Sequence, residues 1–369
     1  ANAFVQASIL DLYDPDRAKE VSNGGESSDF EAFLLAWQDV RNKFENGAGE
    51  NLAVISTEYS SPTLARLKKE FLKAYPNATW VAYEPVNDEN VRRGIKMATG
   101  TLARPLYSMD KANVILALDS DFLQTESDVL RNAGDFAKGR KVTHENDQMN
   151  RLYVAESNYT VTGAMADHRF KMQSNHIAAF VAAVAIEINK QGFSVSGIDG
   201  IKSAGFSFNK STIKALVRDL ITNKGKSLIL AGSRQPAHVH AIVSAMNEAL
   251  SNIGETVTYY TFPDAQPSDM AEFKSLSTKM SNGSIDGLII LGGNPVYNAP
   301  ADFNFAKALS KVEFSVHLSS KVNETSLLSS WKIPESHFLE SWNDVRIAQG
   351  ASSIIQPQIE PLYASVSNI

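Results

Sequence analysis

The stretch Gly292–Pro295 (GGNP) offers the residue types of a ligand-binding turn, and it directly follows an apolar segment that ends at Leu291. Glycines at the carboxyl end of a strand let backbone N–H groups approach a ligand closely, and Asn294 could hydrogen-bond a base or a phosphate. A tight turn from strand to helix accounts for Gly292, Gly293 and Pro295 as well, and for so short a motif it is the more frequent explanation.

Two further polar stretches also follow apolar segments. Asn323–Thr325 (NET) could present the Glu324 carboxylate to a purine-type amino group, although such residues more often cap a turn. Gly232–Arg234 (GSR) precedes a predicted helix, where exposed backbone N–H groups and the Arg234 guanidinium would suit an anion. A Ser233 cap beside a solvated arginine explains the second stretch equally well, and the sequence leaves that choice open.

The other candidates for metal binding or acid–base chemistry are isolated pairs. On a helix, His238 and His240 diverge by about 200° and could not chelate one metal ion. On a strand they could, but the surrounding pattern is helical, so a metal site is disfavoured. Asp167 and His168, with His176, could form a carboxylate–imidazole pair, but a structural hydrogen bond is favoured because a third member is lacking. Four carboxylates near predicted strand ends could act as acids or bases, or could stabilise helix starts: Glu58, Glu84, Asp88 and Glu89. We predict neither a catalytic residue nor a metal site.

Composition excludes several classes of protein. The chain has 369 residues, a net charge of −6 and no cysteine. Disulfides, thiolate zinc sites, cysteine nucleophiles and cysteine-ligated iron–sulfur clusters are therefore excluded within it. The acidic balance argues against nucleic acid and anionic membranes as partners, and no run of about 18 apolar residues predicts a membrane span. The fingerprints of P-loop, dinucleotide-binding and serine-hydrolase sites are also missing.

From residue 51 onward, short apolar runs alternate with amphipathic helices. This alternation is typical of βαβ units with parallel strands. Similar runs recur about 175 positions apart, for example around Val54 and Ile229, which favours two similar units. The predicted fold class is therefore α/β, with two doubly wound, mostly parallel sheets that carry helices on both faces.

The same patterns predict four segments along the chain. Residues 1–50 form a helical extension that packs on the body, with a helix that Asp29 caps and Gly47 ends. The first α/β unit covers residues 51–195 and the second covers residues 196–345, with the glycine- and serine-rich loop Lys190–Asn209 between them. Residues 346–369 are predicted to form an extended tail.

Several motifs together resemble the large subunit of molybdopterin oxidoreductases. Asp286–Pro300 (DGLIILGGNPVYNAP) is followed by Asn323–Thr325 (NET), Lys332–Pro334 (KIP) and Leu339–Asp344 (LESWND). There the usual pattern is an apolar strand, GGNP, TETA, an apolar-Pro step and LE. More narrowly, the chain resembles the B subunit of bacterial alternative complex III, a quinol:electron-acceptor oxidoreductase, through the GGNP stretch and two further segments, Phe4–Arg17 and Leu152–Arg169.

The departures from that pattern bear on the cofactor. Catalytic relatives carry an N-terminal cysteine motif, which this chain cannot have, and a molybdenum ligand whose counterpart region, Glu84–Asn90 (EPVNDEN), matches no ligand motif. The first-unit counterpart of GGNP is Leu118–Asp121 (LDSD), and Gln173–His176 (QSNH) replaces a PGTD-type turn. Asp119 and Asp121 would repel a pyrophosphate, because like charges raise the free energy of the complex.

The resemblance implies a catalytically silent scaffold in a membrane-bound electron-transfer complex. It implies a periplasmic location, other subunits of the complex as partners, no cofactor in this chain, and iron–sulfur clusters only in a domain beyond residue 369. One alternative is a domain that still binds molybdopterin guanine dinucleotide through Gly292, Gly293, Asn294, Glu324 and Arg234. Another is a small-molecule binding module that uses the cleft between two similar units.

Overall fold

A computed structural model describes residues 3–198, 208–347 and 350–369. The chain divides into two compact units, which we call unit 1 (Ala1–Asn87 with Phe262–Ile369) and unit 2 (Asp88–Thr261). Part of the predicted boundary loop Lys190–Asn209, residues 199–207, lies outside the described residues.

The described residues contain fifteen strands and thirteen α-helices, numbered in chain order. The strands are β1 Val21–Asn23, β2 Glu26–Ser28, β3 Leu52–Ser56, β4 Thr79–Ala82, β5 Arg104–Tyr107, β6 Val114–Leu118, β7 Arg151–Glu156, β8 His168–Lys171, β9 Ser227–Ala231, β10 Val257–Tyr260, β11 Gly287–Leu291, β12 Phe314–Ser319, β13 Trp331–Pro334, β14 Asn343–Arg346 and β15 Ser352–Ile355. The helices are α1 Ala3–Ala7, α2 Phe30–Asn46, α3 Pro62–Ala74, α4 Glu89–Thr99, α5 Val129–Arg140, α6 Val161–Ala164, α7 Ile177–Lys190, α8 Lys210–Thr222, α9 Ala237–Ala249, α10 Met270–Ser281, α11 Pro295–Asn298, α12 Phe305–Leu309 and α13 Glu324–Leu328. Short 3₁₀ turns follow α1, β5, β8 and α11.

Unit 1 is built on a seven-stranded sheet in the order β2-β1-β13-β12-β11-β3-β4. The five strands from β13 to β4 are parallel, and β1 and β2 join the edge antiparallel. Helices α10 and α12 cover one face through a core around Phe273 and Leu309. Helix α2 covers the other face, where Phe33 and Trp37 pack near Phe314 and Trp331.

Unit 2 is built on a four-stranded parallel sheet in the order β8-β7-β6-β9. Helices α7, α8 and α9 bury one face in a core that includes Phe180, Leu216 and Met246. Phe122 and Phe136 belong to a second core that includes other residues of β6, β7 and β9. Strands β5 and β10 pair separately as an antiparallel ribbon.

The predicted fold class is confirmed, because both sheets are mostly parallel and are covered by helices. The predicted boundaries at 50, 195 and 345 are not the boundaries of the compact units. Strand β11 pairs with β3, and β9 pairs with β6, so each sheet takes strands from both predicted units. Uniformly buried five-residue runs fit any parallel neighbour equally well, so their pattern cannot specify which strands pair.

The terminal segments also differ from their predicted roles. Within residues 1–50, the helix α2 is present and the Asp29 side chain caps it by accepting a hydrogen bond from the Ala32 N–H, but β1 and β2 add two strands to the sheet. In the tail, β15 pairs with β14 as a hairpin, and the chain beyond it is irregular. The Val366 N–H donates to the Pro334 carbonyl at 2.9 Å, which holds the tail on unit 1.

Helices α4 and α9 of unit 2 pack at very close range around Gly94. A Cβ atom at this position would lie 2.4 Å from the Ala237 carbonyl oxygen and 2.4 Å from the His240 Cβ. Both neighbours belong to a helix that is packed on the sheet, so neither can yield cheaply. Gly94 therefore sets the distance between the two helices.

We expect Gly94→Ala to lower the free energy of unfolding by about 2–3 kcal/mol, the usual cost of overpacking. Gly134→Ala, in helix α5, is the matched control because a Cβ there meets nothing within 4 Å. The control should be neutral or stabilising by up to about 1 kcal/mol, since alanine favours a helix. Denaturant unfolding of both variants measures the difference, and equal free energies would contradict the packing argument.

A buried ion pair joins the two ends of unit 1. Arg17 binds Glu340, and the two side chains are 2% and 0% exposed. Arg17 also donates to the Leu12 carbonyl at 3.2 Å, while Glu340 accepts the backbone N–H groups of His337 and Leu362 at 2.8 and 2.9 Å. Three chain segments are therefore held by one pair of charges.

Glu340→Ala should destabilise the protein by about 3–5 kcal/mol, because it leaves the Arg17 charge buried without a partner. Glu313→Ala removes one of the two partners of Lys43 at the surface, where the Lys43 and Glu313 side chains are at least half exposed, and should cost less than about 1 kcal/mol. Thermal or urea unfolding distinguishes the two variants. A loss at Glu340 no larger than the loss at Glu313 would be incompatible with this role.

Candidate functional site

Each parallel sheet has one point at which the strand order reverses, so that the chain connections from two neighbouring strands run in opposite directions along the sheet. In unit 1 this place lies between β3, which is followed by β4 on one side, and β11, which is followed by β12 and β13 on the other. In unit 2 it lies between β6 and β9. Loops diverge outside the carboxyl ends of such strands and leave a crevice, which is where open α/β sheets bind ligands. The candidate sites are therefore the loops after β3 and β11 and those after β6 and β9.

In unit 1, the structure brings GGNP and NET together as one hydrogen-bonded cluster. Asn294 donates to Glu324 Oε2 at 2.7 Å and accepts from Thr325 Oγ1 at 2.8 Å. Thr325 Oγ1 in turn accepts the Val296 N–H at 3.0 Å, and the Asn323 side chain caps α13 through the Ser326 N–H at 3.1 Å. The hydrogen bond from Asn294 lowers the pKa of the exposed Glu324 carboxyl. The Asn323 side chain therefore acts as a helix cap. The Asn294 side chain is held by Glu324 and Thr325.

Gly292 and Gly293 both have φ of +75°, a region that glycine adopts without strain. Asn294 occupies the N-cap position of the short helix α11, and Pro295 is the first residue of that helix. The Gly292 N–H donates to the Leu318 carbonyl at 2.8 Å, so the loop is tied to β12. Gly293 is exposed, and Gly292 is half-buried.

A buried histidine makes a hydrogen bond to the backbone of this glycine turn. His317, in the middle of β12, is fully buried; its Nε2–H donates to the Gly293 carbonyl at 3.1 Å and its Nδ1 accepts from Ser326 Oγ at 3.0 Å. Both ring nitrogens are satisfied by the neutral tautomer. Burial lowers the pKa of His317 to about 4, so the ring stays neutral at neutral pH.

A carboxyl group borders the turn on its other side. Glu335 follows β13, and its Oε2 lies 3.9 Å from the position that a Cβ on Gly292 would take. Its Oε1 accepts from the Asn368 amide at 2.9 Å. Burial raises the pKa of Glu335 to about 7, so a partly protonated carboxyl lies beside the glycines.

In unit 2, the two aspartates after β6 are bonded internally. Asp119 accepts from Ser174 Oγ at 2.8 Å, from the Gln235 amide at 2.9 Å and from Ser157 Oγ at 3.1 Å. Burial acts to raise the pKa of Asp119, but these hydrogen bonds outweigh it and the pKa lies below its ordinary value. Asp121 accepts from the Thr162 N–H at 3.0 Å. Both carboxylates are thus part of the packed interior.

A third carboxylate occupies the start of the loop after β9. Glu126 accepts the Ser233 N–H through both oxygens, at 3.3 and 3.2 Å. A Cβ on Gly232 would lie 2.0 Å from the Asp119 carbonyl oxygen and 2.9 Å from Glu126 Oε1, so the loop closes tightly on these groups. Burial raises the pKa of Glu126, while the charge of the exposed Arg234 acts in the opposite direction.

These contacts test whether unit 2 fits a pyrophosphate-bearing cofactor at this crevice. The Ser233 N–H that would meet a phosphate is taken by Glu126, and Asp119 and Asp121 add two further carboxylates nearby. A phosphate group would meet negative charge in a poorly hydrated place, which is unfavourable. The residues after β6 and β9 therefore do not fit a pyrophosphate.

A cavity of about 940 Å³ lies beside this crevice, at the carboxyl ends of β7 and β8. Its walls are mainly apolar, with Phe170, Phe180 and Phe208 among them, and Lys171 and His176 add basic groups. The volume falls in the range of small-molecule sites, which is about 300–1,000 Å³. Gln173–His176, the stretch that replaces the PGTD-type turn, also lines this cavity.

The other predicted pairs make contacts within the fold. Asp167 binds Arg140 through both carboxylate oxygens, at 2.7 and 3.1 Å, while His168 stacks on Tyr153. His240 is buried and bonds the Gln235 carbonyl, whereas His238 is exposed. Asp88 pairs with Arg92 and Arg104, and Glu89 pairs with Arg93. Among the described residues no group of three or more His, Asp or Glu side chains could hold a metal ion.

Two of the predicted acidic residues, Glu58 and Glu84, both contact Ser268 at the edge of the unit 1 sheet. The Ser268 N–H donates to Glu58 Oε1 at 3.4 Å, and Ser268 Oγ accepts the Glu84 N–H at 3.1 Å. Burial, with a further contribution from the charge of Glu58, raises the pKa of Glu84. This pair is adjacent to β3 and β4 and is not part of the GGNP cluster.

Sequence reasoning missed Glu126, His317 and Glu335. His317 carried a signal, because a histidine inside the apolar run Phe314–Leu318 has to be hydrogen-bonded when buried. Glu335 also carried one, since it directly follows a strand that ends at Pro334. Glu126 carried none, because it belongs to a loop whose path depends on the rest of unit 2.

Because His317 is buried in its neutral form, the free energy of unfolding should decrease as the pH is lowered. Its pKa is lowered in the folded state, so the unfolded chain binds a proton first as pH falls from about 6.5 to about 4. His317→Gln should remove up to about 3 kcal/mol of this pH dependence, and His144→Gln, at an exposed position, is the matched control. Urea unfolding between pH 4 and pH 7 measures both, and unchanged pH dependence in His317→Gln would contradict the assignment.

Comparison with known proteins agrees with this architecture. No protein-family model matches the chain. The chain is 22% identical to the menaquinone reductase, molybdopterin-binding-like subunit of Nitratidesulfovibrio vulgaris, over 98% of this chain and 56% of that protein. The structure is similar to acetylene hydratase from Pelobacter acetylenicus, with a TM-score of 0.68 and 14% identity over 99% of this chain and 61% of that one. It is also similar to a chain of the formyltransferase/hydrolase complex from Methylorubrum extorquens, with a TM-score of 0.60 and 10% identity over 93% of this chain and 95% of that one.

The chain thus spans little more than half of the curated relative that it matches. The comparisons support the resemblance to molybdopterin-type proteins at the level of fold and distant sequence similarity. The chain has a mixed α/β fold similar to that of molybdopterin oxidoreductase-type proteins, and it is similar in sequence to a molybdopterin-binding-like subunit of a quinone reductase.

Proposed function

We propose that this chain is a catalytically silent, molybdopterin-oxidoreductase-like scaffold domain of a quinone-linked electron-transfer complex. Its role is to position an adjoining iron–sulfur domain and neighbouring subunits. The resemblance to the B subunit of alternative complex III implies this role. The similar relative is named as a subunit of a menaquinone reductase, which supports a place in such a complex. A periplasmic location, peripheral to the membrane, is part of the same proposal. Among the described residues, no helix is both long and apolar enough to cross a bilayer.

The observation that carries the proposal is the internal carboxylate at the unit 2 crevice. Glu126 takes the Ser233 N–H that would otherwise be offered to an anion. Asp119 and Asp121 lie nearby and are held by Ser174, Gln235 and Thr162. Backbone N–H groups at such a strand end are the usual anion receptors of α/β folds, so filling them with carboxylates disfavours a dinucleotide cofactor.

A second candidate function is a domain that still binds molybdopterin guanine dinucleotide. Two observations favour it: Gly293 in the glycine turn of unit 1 is exposed, and the 940 Å³ cavity of unit 2 is large enough for a small molecule. In this alternative Gly292, Gly293 and Asn294 would bind the cofactor, and Glu324 would lie beside it.

The two functions differ in whether the purified chain carries a cofactor. The chain should be produced in a host that makes the molybdenum cofactor, next to an authentic molybdopterin enzyme as positive control. We expect molybdenum and tungsten by mass spectrometry, and pterin fluorescence after acid release, to stay at background. Near-stoichiometric pterin that Asn294→Ala abolishes would overturn the scaffold proposal in favour of the alternative.

A further inference from the structure

A small cavity lies within unit 2, beside strand β5 and the start of helix α5. Its volume is about 50 Å³, and its lining includes residues of β5, of the loop after β6 and of α5. All of the lining residues belong to unit 2, so the cavity is internal to one compact body. Water takes about 30 Å³ per molecule in the liquid, and the cavity therefore has room for about one or two water molecules.

Asn132, in helix α5, brings an acceptor without a partner to this cavity. It lines the cavity and is 2% exposed. Its Nδ2–H donates to the Ser127 carbonyl at 3.1 Å, whereas no donor within the described part of the chain reaches its Oδ1. The opposite orientation of the amide would turn the oxygen towards the Ser127 carbonyl, so exchanging the two atoms does not satisfy it. Buried amide groups in native proteins are almost always hydrogen-bonded, which points to a ligand that donates to Oδ1.

Hydroxyl groups add donors to the same lining. Ser120 and Tyr107 both line the cavity, and Ser120 is 3% exposed. Burial raises the pKa of Tyr107, and nearby negative charges, including those of Glu126 and Asp128, act in the same direction. The Tyr107 hydroxyl therefore keeps its proton and remains able to donate. A ligand that both donates and accepts hydrogen bonds matches this lining, and water does both.

Charge decides between water and a cation. Three carboxylates line the cavity, on Asp88, Glu126 and Asp128. Asp88 is already paired with Arg92, at 3.0 Å, and with Arg104, which itself lines the cavity. Glu126 accepts the Ser233 N–H. A guanidinium in the wall repels a second cation, and no group of three or more His, Asp or Glu side chains in the described ranges could hold a metal ion. A neutral ligand therefore fits the cavity better than a cation does.

We propose that this cavity is a hydration site that holds about one or two ordered water molecules, one of which donates to Asn132 Oδ1. The water satisfies the acceptor that the fold leaves unpaired, while the Nδ2–H of the same amide fastens helix α5 to the Ser127 carbonyl. The inference does not depend on the proposed function, because it concerns only groups inside unit 2.

The first test is a crystal structure of the full chain at a resolution that shows ordered water. We expect electron density for water at hydrogen-bond distance from Asn132 Oδ1, about 2.7–3.2 Å. An Oδ1 with no density beside it, or one that accepts from a protein donor, would overturn the proposal. Crystals grown in rubidium chloride test for a cation, because rubidium is located by its anomalous scattering. A rubidium peak in the cavity would overturn the proposal in favour of a monovalent cation.

Water relaxation-dispersion NMR provides the test in solution, since it counts the water molecules that exchange slowly with the bulk. The variant is Asn132→Leu, which nearly keeps the size of the side chain but removes its hydrogen-bonding atoms. The matched control is Asn42→Leu, at an exposed asparagine of helix α2.

We expect the number of slowly exchanging water molecules to fall by about one or two in Asn132→Leu and to keep its wild-type value in Asn42→Leu. The same number in wild type and in a folded Asn132→Leu protein would contradict the hydration site. If Asn132→Leu does not fold, the crystal structure of the wild-type chain decides the question.

Discussion

Polar groups at the ends of buried parallel strands have to be satisfied, and this requirement organises both units. Strands β3 and β6 are buried along their whole length, so their loops begin inside the protein and cannot rely on water. In unit 1 the requirement is met by side chains that bond one another: His317 with Gly293 and Ser326, and Asn294 with Glu324 and Thr325. In unit 2 it is met by carboxylates, which accept N–H and O–H groups from several loops.

The choice of a carboxylate in unit 2 has an electrostatic consequence. A strand end that offers unoccupied N–H groups attracts anions, whereas one that has Glu126 on the Ser233 N–H and Asp119 beside it repels them. The same contacts that stabilise the loops therefore reduce the ability of the crevice to bind a dinucleotide. A fold similar to that of molybdopterin-type proteins is compatible with this change, because fold and ligand binding depend on different residues.

The outer segments of unit 1 follow another rule. The Arg17–Glu340 pair, with the carbonyl of Leu12 and the N–H of Leu362, links the start of the chain to its last residues. This link holds the 3₁₀ turn that follows α1 on the body of unit 1.

Local signals in the sequence predicted much of the secondary structure. Asp29 caps α2 and Ser61 caps α3, with Pro62 at its first position, because these residues satisfy helix N–H groups without help from distant parts of the chain. The apolar composition of runs such as Leu52–Ser56 and Gly287–Leu291 predicted strands at these positions. The polar turns after β9 and β11 were visible for the same reason, and so were the motifs that resemble molybdopterin oxidoreductases.

The sequence by itself determined the fold class, the helix caps and the position of the glycine turns, since each depends on residues that are neighbours along the chain. Only the tertiary structure decided that β11 pairs with β3 and β9 with β6, because buried apolar runs of equal length are interchangeable as parallel neighbours. It also decided that Glu126 meets Ser233, 107 positions further along, and that Glu335 borders Gly292. Contacts over such distances arise from the packing of whole elements, and no local pattern encodes them.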